Sequence, residues 1–105
     1  MFLAGIMIVL VASQPDSDLR ADLDSTIVGD AGVVMVSVYG QIFNEGDQAS
    51  SCTVTIRVWD GSGWQTFIET AGPIQPQEST EFVWLDFFAG EDPSEFEVKW
   101  TIAEA

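Results

Sequence analysis

From Cys52 to Trp59 the side chains alternate without a break. Cys52, Val54, Ile56 and Val58 fall on one side, and Thr53, Thr55, Arg57 and Trp59 on the other. A period of two sends successive residues to opposite faces of an extended chain, whereas a helix would scatter the same set around its axis. This run is therefore predicted to be a β-strand with one buried face. It ends at Asp60-Gly61-Ser62-Gly63, residue types that tolerate positive φ and build hairpin turns. Trp64 to Thr70 is predicted to return as its partner.

The same grammar recurs along the chain, and no helix is predicted beyond residue 13. Leu19 to Ile27 reads as a first strand, with Leu19, Ala21 and Leu23 opposite Arg20, Asp22 and Asp24. Gly29 to Gly32 is a turn. Val33 to Phe43 is apolar on both faces, which predicts a central strand. Asn44 to Asp47 is a turn or short loop. Ala71 to Gln77 is predicted to be a crossing connection, because Pro73 and Pro76 cannot donate to a central ladder. Ser79 to Asp86 puts Phe82 and Trp84 on one face and Glu81, Val83 and Leu85 on the other. Ala89 to Pro93 is a turn, and Phe96, Val98, Trp100 and Ile102 form a last inward face. The count is six strands, with a seventh if the N-terminus supplies one. Regularly punctuated short strands in a chain of 105 residues predict one domain with one core. The expected fold is all-β, an immunoglobulin-like antiparallel sandwich of six to seven strands over residues 19–105.

Charge bounds the partners. Seventeen Asp and Glu stand against Arg20, Arg57 and Lys99, a net charge of −14. Nucleic acid is excluded as a partner, since phosphate must be met by Lys and Arg. A brine-adapted source and an ordinary acidic surface protein both account for the balance. The chain has no histidine and a single cysteine, Cys52. There is thus no Ser-His-Asp or Cys-His machinery, no internal disulfide and no multi-cysteine or histidine metal site. Cys52 is expected to be a buried, inert thiol, with an intermolecular disulfide as the less favoured reading.

Met1 to Ala12 carries no charged or polar side chain. Phe2, Leu3, Ile6, Ile8 and Leu10 are its large apolar members. Twelve residues fall short of the ~20 that span a bilayer as a helix, though they suit the apolar region of a signal peptide. No basic leader precedes them. The expectation is a signal, membrane-anchor or assembly segment over residues 1–13, joined by a polar linker over 14–18. Anchoring or assembly is favoured over simple secretion. The segment must be cleaved, placed in a membrane or packed against protein, as a helix or as a strand added to a neighbouring subunit.

Between Val36 and Phe82 several residues form a pattern. Gly40-x-x-x-Asn44-x-Gly46 is followed by Ile56-Arg57-Val58-Trp59-Asp60, then by Gly61 or Gly63, and then by Ile74-x-Pro76-x-Glu78 and Phe82. This resembles the FxLYD and CARDB-type immunoglobulin-like modules over about half the chain, with Gln77 in place of the family glycine and conservative departures at Ile56 and Trp59. The resemblance implies a sandwich from a bacterial or archaeal cell-surface protein, used for adhesion, spacing or assembly. It carries no catalytic residues and no cofactor.

Trp59 and Trp64 are the candidate contact residues. They flank the Asp60–Gly63 turn and form either an exposed patch for a protein or sugar partner or a cross-strand pair that stabilises the hairpin. Trp100 shares a face with Phe96, Val98 and Ile102 and is expected in the core. The acidic turns, Asp60 with Ser62, Glu91-Asp92, and Asp22-Asp24-Asp30, lack the spacing of a calcium loop and are expected to be solvated. Scattered carboxylates without a cleft do not make a hydrolase. The expected function is a non-catalytic structural or assembly module of the cell surface, partnered by protein, by itself, or through its N-terminus by membrane. A carbohydrate- or protein-binding module built on Trp59 and Trp64 is the alternative.

Overall fold

The computed structural model describes residues 18–105. Six strands follow in chain order: β1 Leu19–Asp30, β2 Val33–Asn44, β3 Ser50–Trp59, β4 Trp64–Ile74, β5 Ser79–Ala89 and β6 Glu97–Glu104. They form two three-stranded antiparallel sheets, ordered β1-β2-β5 and β4-β3-β6. Strands one, two and five share one sheet, and strands three and six share the other with an extra edge strand. That is how an immunoglobulin-like sandwich divides its strands. The place beyond β6, where a last strand completes the pattern, holds none among the described residues.

The two inner faces make the core. The alternation from Cys52 to Val58 is read out directly, since all four inward side chains are fully buried. Val34, Val36, Val38 and Ile42 of β2 face them. Val98, Trp100 and Ile102 of β6 close one side, under Leu19, Ala21 and Leu23 of β1. On the other side Phe67 of β4 packs against Trp84 and Phe88 of β5, with ring centroids 5.1 and 5.9 Å apart, and Phe88 passes the contact to Phe96 at 6.0 Å. A run of aromatic rings thus bounds the core along one seam, while along the other Trp100 packs among aliphatic side chains.

Several boundaries differ from those the sequence predicts. β1 runs on to Asp30, because its hairpin to β2 needs only Ala31 and Gly32, both at positive φ, as two-residue connections require. β5 continues to Ala89. The largest correction concerns Ala71 to Gln77, where the connection is shorter than expected. Ala71 to Ile74 belong to β4, and Pro73 is tolerated because β4 is an edge strand with one side of its backbone unpaired. Phe96 is buried as expected, but it precedes β6, at the exit of a single 3₁₀ turn over Pro93–Glu95 in which the Asp92 side chain accepts the Ser94 N–H. A seventh strand from the N-terminus, and the segment of Phe2, Leu3, Ile6, Ile8 and Leu10, lie outside the described residues.

Gly40 is required by close approach. Its φ is +150°, and a Cβ there would strike the Asp22 carbonyl of β1.

Candidate functional site

Alternation that buries one face of each strand leaves the other outside, and both outer faces carry distinctive chemistry. On β4-β3-β6 the outward row begins with Trp64, Trp59 and Glu97, which are cross-strand neighbours. The two indoles lie 5.5 Å apart, tilted by 56°. The next row sets Arg57 directly opposite Lys99. Like charges in that position repel, yet both cations turn toward the same ring. The Arg57 guanidinium carbon is 5.0 Å from the Trp64 ring centroid, and the Lys99 Nζ is 4.7 Å from it. The electron-rich indole face attracts both, and Trp64 remains 37% exposed.

The turn beneath this cluster is held by one carboxylate. Asp60 Oδ1 accepts hydrogen bonds from the Ser62 N–H, the Ser62 hydroxyl and the Gly63 N–H, while Oδ2 accepts from Gln65 Nε2. The Ser62 N–H first, then Gln65, the Gly63 N–H and the Ser62 hydroxyl, hold the Asp60 carboxyl at about 2, because each bond favours the charged form. The oxygens of Asp60 that a calcium ion would need are thus committed to the turn. Among the described residues no group of three or more acidic or cysteine side chains stands close enough to hold a metal ion.

The outer face of β1-β2-β5 is different. Val28, Val33, Tyr39, Val83, Leu85 and Phe87 all stand exposed on it, and Phe87 and Val83 are 60% and 65% accessible. Cross-strand register joins Val28, Met35 and Phe87 in one row, and Tyr39 with Val83 in another. Val28, Asp30, Val33, Met35 and Phe87 line a shallow depression at the β1–β2 hairpin end. Toward the opposite end the face turns acidic, with Asp22, Asp24 and Glu81. Arg20 there is engaged, its Nε donating to Glu45 at 2.9 Å and its guanidinium lying over Phe43. Apart from Trp64 and Ile68 on the other sheet, every exposed large hydrophobic side chain among the described residues belongs to this face.

The structure therefore brings Trp59 and Trp64 together on an outer face and places Trp84 and Trp100 in the core. The sequence reading missed Arg57 and Lys99 as companions of Trp64, because pairing across β3 and β6 fixes that contact and β6 lies forty residues downstream. It also missed the apolar outer face. The signal for that was present: Val33 to Tyr39 and Phe82 to Phe88 are apolar at both parities, which marks a central strand or an apolar outer surface equally well. Cys52 is buried, and burial pushes its thiol up to about 11, against the smaller effect of a backbone hydrogen bond with Ala103. Among the described residues no helix is long and apolar enough to cross a membrane. No protein-family model, curated protein or solved structure matches the chain.

Proposed function

We propose that this chain is a non-catalytic structural module of the cell surface, in which an acidic immunoglobulin-like sandwich is held by its hydrophobic N-terminal segment and makes its working contacts through its outer sheet faces. The observation that carries this is the six exposed hydrophobic side chains on one sheet face. Single exposed apolar residues are ordinary, but a contiguous set rimmed by charge marks a protein contact. The twelve apolar residues at the N-terminus add a second surface that water does not tolerate. The likeness to FxLYD and CARDB-type surface modules agrees with this reading.

The test is fractionation of the source cells. The chain is expected in the envelope fraction, and a protease added outside intact cells should digest it. Recovery in the cytosol, protected from that protease, would reject the proposal.

The alternative is a carbohydrate-binding module on Trp59 and Trp64. It draws on the half-exposed indole pair, but sugar stacking needs a free ring face, and Arg57 and Lys99 already lie against Trp64. Tryptophan fluorescence titrated with neutral and acidic oligosaccharides would reveal it.

A further inference from the structure

We infer that the two outer faces bind one another between copies of this chain. The Trp64 indole of one copy, carrying Arg57 and Lys99, would seat in the depression formed by Val28, Asp30, Val33, Met35 and Phe87 of the next. The inference rests on the structural-module reading and names its partner as a second copy.

Charge complementarity selects that partner. Of the three cations in the chain, Arg20 is engaged by Glu45, which leaves Arg57 and Lys99 as one basic spot around a half-exposed aromatic ring. Its complement must be apolar and acidic. The hairpin end of the β1-β2-β5 face is both: Asp30 lines the apolar depression and Glu91 stands beside Gly32 at its end, while Asp22, Asp24 and Glu81 make the far end of the same face acidic as well. Pairing like with like fails. The first face against itself would set carboxylate against carboxylate, and the second would set Arg57 and Lys99 against their own copies.

The contact is therefore heterologous, joining one face to the other. Both halves lie at the same end of the sandwich. The β1–β2 hairpin meets the 90–96 segment through the Gly90 N–H to Gly32 carbonyl bond, and the Asp60–Gly63 turn meets the same segment where Gly61 faces Glu95. A heterologous contact whose halves lie on opposite sides of one body does not close on itself, so repetition produces an open stack. Three strands of about twelve residues offer about 40 Å by 14 Å of sheet, on the order of 550 Å² per copy. That is the small end of specific interfaces. Fourteen excess negative charges on each copy oppose stacking until salt shortens the screening length to ~3 Å near 1 M. Stacking is thus a high-salt behaviour.

The experiment is sedimentation velocity on the full chain in non-ionic detergent, at about 0.1 M and about 2 M KCl. Mass is expected to rise with protein concentration at high salt only. Leu85→Glu spoils the first face and Lys99→Glu the second, so each variant alone should stay monomeric. Their equimolar mixture keeps one good face of each kind and should give one-to-one dimers and nothing larger. Val83→Glu and Arg57→Glu replace either variant that loses its near-ultraviolet circular dichroism. A monomeric parent at high salt, variants that assemble like the parent, or a mixture that stays monomeric would each overturn the inference. Assembly unaffected by the variants would leave the surface-module reading standing, since that reading fails only by the location of the chain in the cell.

Discussion

The Nδ2 of Asn44 donates to the carbonyl oxygen of Ile74 at 2.9 Å and so ties the last residue of β2 in one sheet to the last residue of β4 in the other. The same nitrogen donates to the Gln48 carbonyl at 2.7 Å, and Oδ1 accepts from the Gly46 N–H. The Asn44 backbone is bonded in turn to Glu78 and Gln77. A side chain that is 1% exposed thus organises two loops and one sheet-to-sheet junction.

Asn44→Ala removes three of these bonds and leaves buried carbonyls without a donor, each worth about 1–3 kcal/mol. The expected loss is about 3 kcal/mol in urea melts at unchanged m value. Asn44→Asp should cost at least as much at neutral pH, because it presents a carboxylate to the Ile74 and Gln48 carbonyls. A loss under about 1 kcal/mol for Asn44→Ala would mean that water takes over the site.

Trp100 and Trp59 should separate cleanly. Trp100 is 1% exposed, and its indole N–H has no acceptor among the described residues. Trp59 is half-buried on the outer face. Trp100→Ala should cost about 3–5 kcal/mol, the range for deleting a large buried aromatic, and Trp59→Ala clearly less. Trp100→Phe should be mild for its lost volume, because it also deletes an unsatisfied buried donor. Equal losses for the two alanine variants would contradict the assignment of faces.

The inner half of this molecule was legible because a sandwich strand writes its buried face at every second position. Cys52 to Val58, Phe82 with Trp84, and Val98 to Ile102 all read correctly for that reason. Strand ends read poorly. Proline at position 73 signals a break when its strand is taken as central, and only the sheet order shows that β4 is an edge. The outer faces were the least legible. Whether Val83, Leu85 and Phe87 meet a second layer or water depends on which sheet β5 joins, and the position of Lys99 beside Trp64 depends on β6 docking against β3 with two strands intervening in the chain. Local pattern carries neither fact.

Asp60 should titrate below the usual carboxylate range. Its folded value is about 2, held there first by the Ser62 N–H. A lowered folded value means that the charged form supports the native turn. That support is complete above the unfolded value near 4 and is lost as pH falls through about 2. Carboxyl-detected NMR titration should show the Asp60 resonance moving near 2, and the Trp64 indole signal should follow it as the turn loosens. Titration of Asp60 near 4 would mean that the turn does not hold the carboxylate.

Salt should stabilise the monomer before it promotes any contact between copies. Seventeen acids face three bases, and the one ion pair among the described residues, Arg20 with Glu45, is exposed on both sides and so contributes little. Arg57 and Lys99 spend their charge on an indole ring. Most of the remaining carboxylates among the described residues stand on outward strand positions and loops, where they repel across water and where screening acts most strongly. The native state holds them closer together than the unfolded chain does, so added salt lowers its free energy more. Thermal melts of dilute protein from about 0.05 to about 2 M KCl should show a midpoint that rises throughout. Sulfate would stabilise most proteins through exclusion from their surface, so potassium chloride is the discriminating salt. The Leu85→Glu variant, impaired for contact between copies, should show the same rise. A flat midpoint in both proteins would mean that this charge density costs the fold nothing, and a rise confined to the parent would assign the effect to assembly.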